Sequence, residues 1–266
     1  MTPLDIFLFL LTGTVSGILS GLLGVGGGLI IVPILAILFS WMNFSEAYLM
    51  HMALGTSLAT MITTSISSAR AHHLRANVNW HVVKRIAPGV MLGALLGTLI
   101  AGQLNNYWLK VVFIAFIFCA ATQLILNLSP NSHRQLPGQG GISLVGALIG
   151  MISSLVGIGG GTLSVPFLLY CNTDIRRAIG TSAAIGFPLA TAGALSYFLL
   201  GHNKLELPPY SLGYIYLPAL VGIALTSMLT APIGAGLAQG LPILTLKRLF
   251  AILLYVIGLK MLWGIL

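Results

Sequence analysis

Gly21-Leu22-Leu23-Gly24-Val25-Gly26-Gly27-Gly28-Leu29-Ile30-Ile31-Val32-Pro33 returns later in the chain as Ser154-Leu155-Val156-Gly157-Ile158-Gly159-Gly160-Gly161-Thr162-Leu163-Ser164-Val165-Pro166. The offset is 133, Gly24 aligning with Gly157, which is half of the 266 residues. A glycine-interrupted apolar segment that occurs once in each half of a chain points to a transporter built from two repeats. Two more pairs follow in the same order. Gly55-Thr56-Ser57-Leu58-Ala59 matches Gly180-Thr181-Ser182-Ala183-Ala184, and Leu109-Lys110-Val111-Val112-Phe113 matches Leu246-Lys247-Arg248-Leu249-Phe250.

Composition sets the surroundings. The chain is 57% hydrophobic and 6% charged, against about 25% charged in a soluble domain. Such a chain is an all-α polytopic membrane protein. Five apolar segments fill the first half, at about 6–23, 29–42, 47–69, 82–104 and 107–128, and five the second, at about 142–156, 162–171, 178–200, 211–239 and 246–266. The division is therefore a first repeat over 1–128, a polar linker over 129–141 and a second repeat over 142–266. The N-terminus has no basic leader, so residue 6 onward reads as a retained membrane segment. The second segment of each repeat is short. Fourteen and ten residues make about 21 and 15 Å of helix, against a hydrocarbon core of about 30 Å. Re-entrant hairpins fit these lengths, and the span count is eight to ten.

An odd number of segments per repeat inverts the second copy. Charge agrees. With the 70–85 loop in the cytoplasm, Arg70, Arg75, Lys84, Arg85, Arg134, Arg176, Arg177, Lys247 and Arg248 fall inside, and Lys110, Lys204 and Lys260 outside, as the positive-inside rule requires. Both termini are then outside, periplasmic if the membrane is a bacterial inner membrane. The net charge of +8 is explained by lipid-facing loops, with no nucleic acid partner.

Gly24, Gly26, Gly27 and Gly28, with Gly157, Gly159, Gly160 and Gly161, leave backbone N–H groups uncovered ahead of a helix N-terminus, which is an anion site. Inversion brings the two N-termini together from opposite faces, where a small anion would bind. Thr56, Ser57, Thr181 and Ser182 offer hydroxyl donors beside glycine in both repeats, and Thr162 stands at the start of the second short segment, with Ser164 after it. His51 and Arg176 occupy matching positions, one at each mouth, as vestibule or coupling groups. His72 and His73, between Arg70 and Arg75, read as solvated loop residues. Gly89, Gly93 and Gly97 read as a packing stripe. Cys119 and Cys171 suggest neither disulfide nor metal site. No catalytic set, metal cluster or cofactor motif is present, so the chain is read as a non-enzyme without cofactors.

These motifs, with Ala53-Leu54-Gly55-Thr56-Ser57, Ala178-Ile179-Gly180-Thr181-Ser182 and the basic stretch from Ala71 to Trp80, resemble the TauE/SafE family of sulfite exporters, the sulfonate-permease group. Two positions depart from its usual pattern: Ala76 stands where glycine is usual and Asn79 where aspartate is common. The resemblance implies an inner-membrane transporter, mostly an exporter, of small sulfur-containing anions such as sulfite or organosulfonates. A non-transporting membrane scaffold or subunit and an anion channel are the competing readings, and a homo-oligomer is compatible with each.

Overall fold

The computed structural model describes residues 2–24, 27–126, 135–204, 206–238 and 243–264, the side chains of 243–247 apart. Ten helices run in chain order among these residues. They are α1 (Pro3–Leu23), α2 (Gly28–Trp41), α3 (Leu49–His73), α4 (Trp80–Gln103), α5 (Asn106–Ile125), α6 (Gln139–Val156), α7 (Gly161–Tyr170), α8 (Ile175–Gly201), α9 (Leu217–Leu237) and α10 (Ile243–Trp263). Seven of them are long and apolar enough to cross a membrane, while α2 and α7 are short apolar helices. The protein is an all-α, multi-pass membrane protein.

The helices sort by what surrounds them. On α4 one side carries Leu92, Leu96 and Leu99, all exposed, and the other carries the buried Gly89, Gly93 and Gly97. An exposed leucine face of that size would be unstable in water and is at rest in lipid. α3 and α8 lie at the centre, the most enclosed of the long helices. They run antiparallel: Gly55 meets Tyr197, Leu58 meets Gly193 and Ser65 meets Gly186. α1 runs parallel to α9, with Gly13, Gly17 and Gly21 against Ile223, Ser227 and Ala231, and α4 runs parallel to α6, with Gly89, Gly93 and Gly97 against the carbonyls of Ser143, Ala147 and Met151. The stripe is a packing device, since the missing Cβ atoms let backbone approach backbone.

Contacts in one half recur in the other at the matching residues. The Thr56 hydroxyl accepts from the N–H of Tyr216, which caps α9, at 2.9 Å. The Thr181 hydroxyl accepts from the N–H of Asn79, which caps α4, at 3.0 Å. His72 bonds the Gly21 carbonyl at 3.0 Å and Tyr197 donates to the Ser154 carbonyl at 3.2 Å, each holding the last turn of the helix that precedes a glycine motif. Both short helices end on an asparagine in the left-handed region, Asn43 and Asn172, closed by Phe44 N–H to Phe39 O and Thr173 N–H to Leu168 O. This is the Schellman pattern.

Two expectations change. The ninth segment, placed from residue 211, opens instead as a two-stranded antiparallel hairpin, β1 (Ser211–Leu212) with β2 (Ile215–Tyr216), and its helix starts at Leu217. Gly213, at φ +54, makes the turn and presses on the Phe198 carbonyl, where a Cβ has no room. His72 is not a solvated loop residue. It lies inside α3, buried, with its ring on Gly21. His73 is exposed and accepts from the Trp80 indole at 3.0 Å.

Candidate functional site

The glycine motifs fold as the sequence chemistry demands. α1 ends on Gly24 at φ +67, and Gly27 at φ +78 precedes α2. α6 ends on Gly157 at φ +70, and Gly160 at φ +71 precedes α7. These four need the left-handed region, which a side chain disfavours. Gly28 starts α2 with no room for a side chain, its Cα packed on the Gly157 carbonyl and Ile158. The two motifs therefore touch. Gly26 lies outside the described residues. Gly159, Gly161 and Gly28 are buried.

N-cap side chains serve four helices. Thr2 caps α1, Asn79 α4, Asn105 α5 and Asp174 α8, each through its side chain. α3, α6 and α9 have none, though in α3 the Asn106 side chain accepts from Met50 N–H and the start of α6 is exposed. Among the described residues no side chain caps α2 or α7. The first intrahelical bonds are Ile30 N–H to Gly27 O and Leu163 N–H to Gly160 O, both 3.0 Å. The N–H groups of Gly28 and Leu29, and of Gly161 and Thr162, precede them. Four orphan N–H groups are normal at a helix start, but burying them without a cap is not. Beside α7, the buried hydroxyls of Ser153 and Thr162 have no partner among the described residues. Ser153 was not singled out in the sequence; the signal was its place one turn before Gly157.

The paired hydroxyls hold this centre. Ser57 donates to the Gly157 carbonyl at 2.9 Å, and Ser182 donates to the Gly24 carbonyl at 3.1 Å. Each crosses from its own half to the glycine motif of the other. Ser164 shares a 2.7 Å bond with Ser182. Thr56 and Thr181 lie one residue away and are tied to the hairpin and to the start of α4, as above.

His51 and Arg176 are apart, at opposite ends. His51 is buried, bonds the Ala101 carbonyl through Nε2 at 3.1 Å and stacks on Tyr214 at 5.1 Å. Burial, with Tyr48 adding to it, pushes the Tyr214 phenol up to about 12. Lys204 stands over the Tyr48 ring at 5.6 Å. At the other end the exposed Arg176 borders a small pocket with His72 and Asn77. Arg134 and the Lys247 side chain lie outside the described residues. Among the described residues no three His, Cys, Asp or Glu side chains gather to hold a metal ion.

The family described as sulfite exporter TauE/SafE matches residues 9–261. The chain belongs to the TauE/SafE family. It is 41% identical over 258 residues to a probable membrane transporter protein of Haemophilus influenzae, covering 96% of this chain and 97% of that one. It is also 28% identical over 261 residues to a probable membrane transporter protein of Methanocaldococcus jannaschii, covering 96% and 94%. No solved structure matches it. A membrane transporter is therefore shown.

The structure shows what each departure from the TauE/SafE pattern costs. Ala76 has φ +57, a left-handed position that glycine fills without strain. The matching position in the second half is Gly213, also left-handed. Asn79 caps α4, its side chain accepting from Val82 N–H at 3.3 Å, a task aspartate performs equally well.

Proposed function

We propose that this protein is a secondary transporter that exports a small sulfur-containing anion, sulfite or an organosulfonate, through a site between the two glycine motifs. The observation that carries the reading is the pair of buried N-termini of α2 and α7, with no side-chain cap and with two unpartnered hydroxyls beside α7 among the described residues. Partial positive charge and buried donors suit an oxyanion that must exchange its hydration shell for fixed partners. The site comprises Gly24, Gly26, Gly27, Gly28, Gly157, Gly159, Gly160, Gly161 and Thr162, with Ser153 added. Ser57 and Ser182 hold the loops, Thr56 and Thr181 brace the helices carrying them, and His51 and Arg176 stand at the two mouths.

The halves are read as inverted repeats, 1–128 and 142–266. Supporting this are the antiparallel α3 and α8, the parallel pairs α1 with α9 and α4 with α6, and the matched hydrogen bonds. Rocking one half against the other would expose the centre alternately to each side. The location is a bacterial inner membrane, with the end bearing Arg75 and Arg176 cytoplasmic and both termini periplasmic. An inside-negative potential drives anion export at about 2.3 kcal/mol per charge per 100 mV, so no coupling ion is needed.

The test is sulfite efflux from liposomes containing the purified protein, preceded by a thermal-shift screen against sulfite, sulfonates, thiosulfate, sulfate and carboxylates. Wild type should give saturable flux and be stabilised by its own substrate class. Gly27→Val and Gly160→Val should insert and fold but lose transport. Wild-type flux in either folded variant removes the glycine motifs from the site. No flux from the wild type alone favours the scaffold reading.

A further inference from the structure

A second basic feature lies away from the glycine motifs, at the far end of α2. There α2, α5 and α10, with Leu49 of α3, line an open cavity of about 250 Å³. Its lining divides by chemistry. Ala36, Leu49 and Met261 are buried and apolar, while Lys110, Lys260 and Glu46 supply charge. The Lys260 amine lies over the Trp41 ring at 6.0 Å. Its wall on α2 runs from Ala36 to Trp41, so about 12 to 20 Å of helix separates it from Gly28. It is a separate place from the proposed transport site.

Its depth in the membrane follows from its neighbours. Trp41 is 67% exposed, Trp108 55% and Trp263 85%, on the same ends of α2, α5 and α10. Exposed tryptophans at helix ends mark the headgroup level. A cavity there, apolar inside and cationic at the rim, matches a molecule with an apolar body and an anionic head. Among the described residues, two ammonium groups and one carboxylate line the cavity and leave a single net positive charge, the complement of one phosphodiester. The volume is below the roughly 300–1,000 Å³ of sites that enclose a drug-sized ligand, so it admits a headgroup and the first part of its chains.

We propose that the cavity between α2, α5 and α10 seats the phosphodiester of an anionic membrane lipid, held by Lys110 and Lys260 over the Trp41 ring. The seat would tie the end of α2 to α5 and α10, and it does not depend on the anion-transport reading.

The purified full-length protein, stripped of lipid in detergent, is titrated with short-chain phosphatidylglycerol, the diacylglycerol of the same chains and inorganic phosphate. Thermal midpoint and bound mass by native mass spectrometry are read together. Phosphatidylglycerol should raise the midpoint saturably and bind at one per chain, and the other two should not. Lys110→Gln with Lys260→Gln should weaken that binding about tenfold or more, the loss expected for contacts between charged groups. The double arginine variant should retain it, as should Lys204→Gln. Equal stabilisation by diacylglycerol would mean the apolar floor alone binds. Equal stabilisation by inorganic phosphate would mean a free-anion site. Either result overturns the proposal, as does unchanged lipid binding in the double glutamine variant. The headgroup comparison on the wild type decides the matter even if that variant does not fold.

Discussion

Glycine does two different jobs in this molecule, and α4 and the loop before α2 show the contrast. Along α4, Gly89, Gly93 and Gly97 have ordinary helical backbones, and what matters is the absence of a Cβ against the carbonyls of α6. At Gly24 and Gly27 what matters is φ, at +67 and +78. The first kind joins two long helices over about two and a half turns. The second sets the backbone where α1 ends and where α2 begins. The lesson is that glycine density says little until each residue is assigned to space or to conformation, because the two kinds fail differently when substituted.

The largest effect should come from the packing kind. Gly93→Val puts a branched side chain into the Ala147 backbone, where the helix axes must separate. Overpacking against backbone costs about 3 kcal/mol, and every turn of the α4–α6 contact shares it. Folded yield and the detergent melting midpoint should both collapse. In Gly27→Val, by contrast, the strain stays local: the new Cβ lies 3.0 Å from Ser16, and the long helices keep their contacts. A normal melting midpoint for Gly93→Val, or a lost fold for Gly27→Val, would erase the distinction.

Much of this was legible beforehand. The repeated motif, the short α2 and α7 and the α4 stripe follow from spacing and length, and their boundaries fall within a few residues of those read from hydropathy. What was not legible depends on partners far away in sequence. The hydroxyls of Ser57 and Ser182 looked like free donors because nothing local shows that the other half places a glycine carbonyl 2.9 or 3.1 Å away. His72 looked solvated because its charged neighbours, Arg70 and Arg75, are adjacent in sequence, while its actual partner, Gly21, belongs to α1. The hairpin at Ser211 was hidden because Leu212, Tyr214, Ile215 and Tyr216 run on without a charge into the apolar helix that follows.

The crossed serine bonds give a middle-sized effect and a sharper test of how the two glycine motifs are joined. Ser57→Ala leaves the buried Gly157 carbonyl without its hydroxyl, and Ser182→Ala does the same to Gly24. Each should lower stability by about 1 kcal/mol, the usual worth of such a bond. Because Gly28 rests on Gly157 and Ile158, the motifs are in direct contact and the losses should not simply add. A double-mutant cycle on unfolding should give a coupling of about 0.5 kcal/mol or more. A coupling near zero would mean that each serine supports its own loop and that the motifs respond independently.

The smallest effect tests the conformational role from the opposite direction, by adding a glycine. Ala76 and Gly213 occupy matching turns before α4 and α9, and both are left-handed, at φ +57 and +54. At Gly213 a side chain is doubly excluded, by φ and by the Phe198 carbonyl. At Ala76 only the φ strain applies, about 1 kcal/mol for a residue with a Cβ. Ala76→Gly relieves that strain but gives the unfolded chain more freedom, a loss of about 0.5 kcal/mol or slightly more. The net gain should be small and positive, visible as a modest rise in melting midpoint with transport unchanged. The reverse substitution, Gly213→Ala, should be clearly destabilising, because nothing offsets the collision. If the two changed stability by equal and opposite amounts, backbone conformation alone would account for both turns, and the close approach at Phe198 would carry no weight.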